Sequence, residues 1–84
     1  MQPVVIYTRA FCGYCSRAVS LLEQKGVKFE EIDATMDPSK RAEMMQRSGR
    51  ATFPQVFVGE SHVGGCDDLF AADRSGELDR LLNA

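Results

Sequence analysis

The chain is expected to fold as an α/β domain built on a mixed sheet, and three observations carry that expectation. An apolar, β-branched run, Val4-Val5-Ile6-Tyr7-Thr8, gives way to Cys15, Ala18, Val19 and Leu22 at i, i+3, i+4, i+7 spacing, the change of period that separates a buried strand from an amphipathic helix. A second strand-like run, Val27 to Asp33, follows Gly26, so a helical crossover joins two strands that should lie parallel, with a right-handed connection. Phe53 to Val58 and Ser61 to Val63 are separated only by Gly59-Glu60, a tight turn that makes them an antiparallel hairpin. The predicted order is β-α-β-α-β-β-α.

Each element has its own start and stop. The first strand occupies Pro3 to Thr8. The first helix runs from about Cys12 to Lys25 and stops at Gly26, a residue that takes the left-handed conformation after a helix without steric cost. Asp37-Pro38 supplies an N-cap and a proline at the first helical position, and the second helix should run to Ser48 with Gly49 closing it. Its apolar side is thin, with Ala42, Met44 and Met45, and its basic residues Lys40-Arg41 and Arg47 to Arg50 read as a solvated face. After Gly64-Gly65, Asp67 and Asp68 can cap a short helix through Leu69, Phe70, Ala71 and Ala72. Beyond Gly76 a last turn carries Leu78, Leu81 and Leu82.

Composition narrows the function. Eighty-four residues, 44% of them hydrophobic, are read as one domain, residues 1 to 84, with enough apolar material for a small core. A net charge of -2, with basic and acidic residues interleaved, gives no electrostatic reason to bind nucleic acid. No apolar run reaches the length of a membrane span and Met1-Gln2-Pro3 does not open a secretion signal. The expectation is a soluble, cytoplasmic monomer.

The chemistry starts from Cys12-Gly13-Tyr14-Cys15 at the strand-to-helix junction. A thiol at the start of a helix lies at the positive end of the helix dipole with free backbone N–H groups nearby, which favours thiolate. Cys12 should therefore be the more acidic sulfur, with Arg9 and Arg17 adding positive charge; such surroundings bring a thiol from about 8.5 into the range of roughly 3.5 to 7.5. Cys15, one turn further in, should be shielded. One exposed attacking thiol and one shielded resolving thiol is the arrangement that thiol–disulfide exchange requires. Two other chemistries use the same spacing. His62-x-x-x-Cys66 could complete a Cys3His zinc set with Cys12 and Cys15, although zinc usually replaces a missing core, and this chain has strand and helix patterns of its own. A permanent disulfide fits poorly with three cysteines in a chain without a secretion signal.

Two later stretches stand out. Pro54 interrupts the strand Phe53 to Val58 and marks an edge, a bulge or a strand start; on frequency alone its peptide bond should be trans. Gly64-Gly65-Cys66-Asp67-Asp68 lets the backbone approach a ligand closely and then presents helix N–H groups, the makings of a small anion site. The same residues also read as an ordinary turn in which Cys66 is a small buried hydrophobe.

Taken together, Tyr7-Thr8-Arg9 before Cys12-Gly13-Tyr14-Cys15, then Thr52-Phe53-Pro54, then Gly64-Gly65-Cys66-Asp67-Asp68-Leu69 make the chain resemble the glutaredoxins over essentially its whole length, in particular their small bacterial dithiol type. The resemblance implies a thioredoxin fold, four central strands flanked by helices, and a cis bond before Pro54. It implies glutathione as co-substrate, reduction of protein disulfides and protein–glutathione mixed disulfides, and Cys12 and Cys15 as nucleophile and resolving thiol. It also implies a glutathione site made of Arg9, Tyr14, Thr52, Phe53, Pro54, Gly65, Cys66 and Asp67. In that site the Phe53 backbone grips the cysteinyl part of glutathione like one added strand. The N–H groups of Cys66 and Asp67 hold the γ-glutamyl carboxylate, the Asp67 side chain meets the ammonium, Arg9 meets the glycyl carboxylate, and Tyr14 lies beside the reacting sulfur.

The departures from the family pattern are informative. Thioredoxins share the fold but usually carry tryptophan before the first cysteine; here Phe11 stands there and the chain has no tryptophan. Most dithiol glutaredoxins read Cys-Pro-Tyr-Cys, whereas Gly13 is the residue of the single-thiol branch that carries iron–sulfur clusters. The alternative function is thus a scaffold or carrier for a 2Fe–2S cluster bridging two chains, with glutathione supplying thiolates. Arg9 replaces the commoner lysine, keeping the charge and adding a fork that can hold a carboxylate bidentately. Phe53 replaces the commoner valine at a position that contributes backbone.

Overall fold

In a computed structural model that describes all 84 residues, β1 (Val4–Thr8), α1 (Gly13–Gln24), β2 (Phe29–Asp33), α2 (Pro38–Ser48), β3 (Gln55–Val58), β4 (Ser61–Gly64), α3 (Cys66–Ser75) and α4 (Glu77–Leu82) follow one another. The four strands form one sheet in the order β2-β1-β3-β4. β1 runs parallel to β2 and antiparallel to β3, and β3 and β4 form the expected hairpin. This is the mixed four-stranded sheet of the thioredoxin fold.

Strand alternation distributes the core over the two faces of the sheet. Val4, Ile6, Val56 and Val58 face the larger cluster, where they meet Ala18, Leu21 and Leu22 of α1, Leu69 of α3 and Leu78 and Leu82 of α4. Tyr7 and Phe57 face the other way and pack with Met44 of α2. Both faces of β3 are therefore covered, and all four of its residues are buried. The thin apolar side of α2 is supplemented by polar and cationic contacts. Tyr7 donates its hydroxyl hydrogen to Glu43, Arg47 donates to the Tyr7 oxygen at 2.9 Å, and the Arg47 guanidinium lies 4.2 Å from the centre of the Phe57 ring. Arg47 is exposed, as the expected solvated basic face requires, and its planar cation also stacks on an aromatic ring.

Several boundaries also differ from expectation. β3 starts at Gln55 rather than Phe53, because the Phe53–Pro54 peptide is cis and Pro54 has no N–H to add to the ladder. β2 starts at Phe29, since Val27 turns inward and its N–H bonds the Leu22 carbonyl at 3.2 Å to finish α1. α3 starts at Cys66, which puts Asp67 and Asp68 inside its first turn; Asp68 reaches back to the Gly65 N–H at 2.9 Å. Gly76, at φ 85°, separates α3 from α4. Lys25 at the end of α1 joins these two short helices, with Nζ 2.8 Å from Asp73 and 2.9 Å from Asp79. No helix is long and apolar enough to cross a membrane.

Candidate active site

Cys12 sits just past the end of β1 as the N-cap of α1. Its extended backbone, φ -123° and ψ 99°, turns the chain from strand into helix, and its sulfur accepts the Cys15 N–H at 3.1 Å. A sulfur at an N-cap takes the place of the usual oxygen acceptor and satisfies one of the N–H groups a helix leaves open. Cys12 and Cys15 are joined as a disulfide with Cα atoms 5.2 Å apart. Cys15 is only 4% exposed and Cys12 is half-buried. The pair thus has the expected asymmetry, one sulfur reachable and one shielded.

Phe11, immediately before Cys12, is fully exposed and has a left-handed φ of 56°. An aromatic residue in that region is a conformational outlier, found where surrounding structure imposes it. Nothing in the local pattern marks it. Tyr14 is also exposed, so aromatic rings flank the reachable sulfur.

Two clefts open near Cys12. The smaller groove, about 170 Å³, is lined by Tyr14, Thr52, Phe53, Pro54, Gly65, Cys66 and Asp67, with Asp68 beside them. It therefore unites all the expected glutathione-site residues except Arg9. Its two walls are close: a Cβ on Gly65 would stand 3.4 Å from the Pro54 carbonyl oxygen. The Cys12 sulfur lies 3.9 Å from the Phe53 carbonyl oxygen. Neither the N–H nor the carbonyl of Phe53 enters a backbone–backbone hydrogen bond, which leaves both available to an extended ligand. On the opposite wall, the first turn of α3 offers the N–H groups of Cys66 and Asp67, neither of which has a backbone partner.

Arg9 lies elsewhere. It lines the larger cleft, about 430 Å³, together with Phe11, both active-site cysteines, Glu31 and Asp33. The Arg9 guanidinium donates to the Ala10 carbonyl at 3.2 Å, and Thr8 donates its hydroxyl hydrogen to Glu31 at 2.8 Å. Cys12 lines this cleft and also stands beside Phe53 of the groove.

Burial pushes the Cys66 thiol above its ordinary value, with the Arg17 charge opposing. Asp68 is held below the usual carboxylate range by the Arg50 guanidinium at 2.9 Å and by the Gly65 N–H. The Cys3His zinc set is not assembled. His62 Nε2 is engaged 2.7 Å from Gln55 Oε1, and no three histidine, cysteine, aspartate or glutamate side chains are grouped to hold a metal ion.

Sequence reasoning places Asp68 at a helix cap, His62 in a zinc set and Arg50 on a solvated face, and does not single out Gln55. Asp68 had a local signal, since it stands three residues after the N-cap Gly65, the spacing at which an acidic side chain reaches back to the N-cap N–H. Gln55 had another, a polar residue inside the otherwise apolar run from Phe53 to Val58.

The chain is similar over most of its length to known proteins. The family model described as Glutaredoxin matches residues 4–63. A glutaredoxin of Pseudomonas aeruginosa is 56% identical over 84 residues, covering all of both chains. The solution structure of a Brucella melitensis glutaredoxin is 60% identical, covers 98% of this chain and 89% of its own, and superimposes with a TM-score of 0.85. A crystal structure of a buckwheat glutaredoxin–glutathione complex is 34% identical, covers 98% of this chain and 77% of its own, and gives a TM-score of 0.87.

Proposed function

The chain belongs to the glutaredoxin family, and on that premise we propose how its residues divide the work of a glutathione-dependent thiol–disulfide oxidoreductase. Cys12 is the nucleophile and Cys15 the resolving thiol. The observation that carries this division is the contrast between a half-buried Cys12 sulfur that accepts a helix N–H and a Cys15 almost fully buried one turn away. The N–H favours the thiolate form of Cys12 by hydrogen-bonding its charge.

The exchange steps follow from that placement. With a protein–glutathione mixed disulfide, the Cys12 thiolate attacks the glutathione sulfur. The S–S bond to the protein breaks and the protein leaves as a thiolate that takes up a proton. The thiolate of a second glutathione then attacks the glutathione sulfur held on Cys12, releasing glutathione disulfide and regenerating the Cys12 thiolate. With a protein disulfide, Cys12 attacks one sulfur, and the Cys15 thiolate attacks Cys12 in turn. The substrate leaves as a dithiol, Cys12–Cys15 is oxidised, and two glutathione molecules restore it by becoming one glutathione disulfide.

In this reading the groove beside Cys12 holds glutathione. The Phe53 N–H and carbonyl, with Thr52 and Pro54 shaping their turn, grip the cysteinyl backbone. The Cys66 and Asp67 N–H groups take the γ-glutamyl carboxylate at the start of α3, with Gly65 allowing close approach. Asp67 meets the ammonium, Tyr14 lies beside the sulfur, and Arg9 takes the glycyl carboxylate from the far side of Cys12. The buckwheat complex supports glutathione as the ligand. We read residues 1 to 84 as a single domain acting as a monomer, because Leu78 and Leu82 of α4 belong to the same core as Val4 and Ile6 of β1. We place it in the cytoplasm, where reduced glutathione is plentiful.

The geometry favours exchange over the cluster-carrier alternative. Cys12 and Cys15 are already within bonding reach of each other, as the resolving step of exchange requires. The test is turnover of a small glutathione mixed disulfide with glutathione, glutathione reductase and NADPH. NADPH consumption that saturates with the mixed disulfide and depends on the protein is expected; a rate no higher than glutathione alone overturns the proposal.

A further inference from the structure

A buried glutamine in a strand that is otherwise Val-Phe-Val calls for an explanation. Gln55 is 0% exposed, and an amide out of water is costly unless every polar atom finds a partner. Here they do. Gln55 Nε2 donates to the Thr52 carbonyl at 3.1 Å and to the Thr52 hydroxyl oxygen at 3.1 Å. Oε1 accepts from His62 Nε2 at 2.7 Å. The orientation of the amide is forced, because a carbonyl can only accept, so the nitrogen faces Thr52 and the oxygen is left for His62. His62 must then carry its hydrogen on Nε2. Its ring is held in turn against Phe57, with centroids 4.9 Å apart.

The backbone of Gln55 is an anchor in its own right, since it pairs with Tyr7 in the β1–β3 ladder. From that fixed point its side chain ties down the residue three positions earlier. Thr52 is exposed and lies outside every helix and strand; the residue after it is Phe53, whose N–H and carbonyl have no backbone partner. A satisfied buried polar network rigidifies the segment that it holds.

Resting on the reading of Phe53 as the backbone grip for glutathione, we infer that Gln55, held by His62, is a positioning residue that fixes the Thr52–Phe53 turn in its ligand-binding conformation. It touches neither glutathione nor the reacting sulfurs. Its contribution is to spare the turn from being ordered at the moment of binding, a cost that would otherwise appear as weaker affinity.

The test compares wild type with Gln55→Met and His62→Leu in turnover of a glutathionylated peptide, separating KM from kcat. Gln55→Met keeps an apolar chain of similar volume and removes the donors to Thr52. It should raise KM by about three- to tenfold, the worth of one or two hydrogen bonds, with kcat nearly unchanged. His62→Leu, at a partly exposed site, should raise KM in the same sense by less, and it decides the matter if Gln55→Met does not fold. A variant that loses kcat in proportion to its folded fraction while KM stays at the wild-type value assigns Gln55 a structural role only and overturns the inference. A wild-type enzyme that fails to saturate with the glutathionylated peptide would instead refute the glutathione-groove reading beneath it.

Discussion

The backbone N–H of Cys15 points at the sulfur of Cys12 across 3.1 Å, so the two active-site cysteines are linked by a hydrogen bond as well as by their disulfide. Once the disulfide is reduced, the same N–H faces a thiol that it can stabilise as thiolate, which lowers the Cys12 pKa below the free-cysteine value of about 8.5. Burial acts in the opposite sense on Cys66 and raises its pKa. At neutral pH the order of alkylation in the reduced protein should therefore put Cys12 first and Cys66 last. Mass spectrometry after timed iodoacetamide treatment reads the order. A Cys12 midpoint at or above about 8.5 would contradict the N-cap account.

Arg9 stands on the cleft across Cys12 from the groove. If it meets the glycyl carboxylate, Arg9→Ala should raise KM for glutathionylated substrates by about two- to fivefold, because exposed ion pairs contribute roughly 0.2 to 1 kcal/mol. The salt dependence of KM should flatten in the same variant. Arg9→Lys, which keeps the charge and loses the fork, should fall between. Unchanged kinetics in Arg9→Ala would assign that carboxylate to another cation.

Asp68, beside the groove, ties the first turn of α3 to Arg50, two residues before Thr52, by accepting from the Arg50 guanidinium and from the Gly65 N–H. Its folded pKa is lowered from 3.8, chiefly by the Arg50 hydrogen bond and then by the Gly65 N–H. The resulting stabilisation is complete above the unfolded value and is lost as pH falls through the folded one. Asp68→Ala should cost about 0.5 to 1 kcal/mol at neutral pH, the low end for a capping carboxylate because the pair is half exposed. Denaturant unfolding should show that gap narrowing below pH 3.8. A gap that stays constant into strong acid would show that the charge is not what stabilises.

Gly13 is the first residue of α1, and a Cβ there would meet nothing within 4 Å. Cys12 before it is already extended, as a residue preceding proline prefers. Gly13→Pro should therefore stabilise the protein by about 0.4 to 1 kcal/mol through the unfolded chain, a rise in Tm of roughly 2 to 8 °C, while keeping activity. A lower Tm would mean that the junction needs freedom the static backbone does not reveal.

What could be read in advance depended on how local its cause was. Asp37, Pro38 and Gly49 set the limits of α2 by side-chain capping, preset φ and left-handed backbone, all decided within a few residues. β3 could not be placed from its own residues, because the apolar pattern continues through Phe53 while Pro54 ends the ladder after a cis bond. The groove was legible through resemblance, since Thr52-Phe53-Pro54 and Gly65-Cys66-Asp67 are far apart in sequence and meet only in the fold. Its supports were not legible. Gln55 acts through His62, seven residues on, and Asp68 through Arg50, eighteen residues back, and no periodicity records such pairs. The stacking of exposed Arg47 on Phe57 has the same long-range character: the helix residue and the strand residue meet only in the fold.

The division of labour between Cys12 and Cys15 is tested most directly by Cys15→Ser, exposed to a glutathionylated peptide and then analysed by intact mass and by turnover with glutathione. The account predicts one glutathione attached to Cys12, located by peptide mapping, and continued reduction of the mixed disulfide, while Cys12→Ser loses all turnover. Loss of mixed-disulfide reduction in Cys15→Ser, or an adduct on Cys66 in place of Cys12, would contradict it.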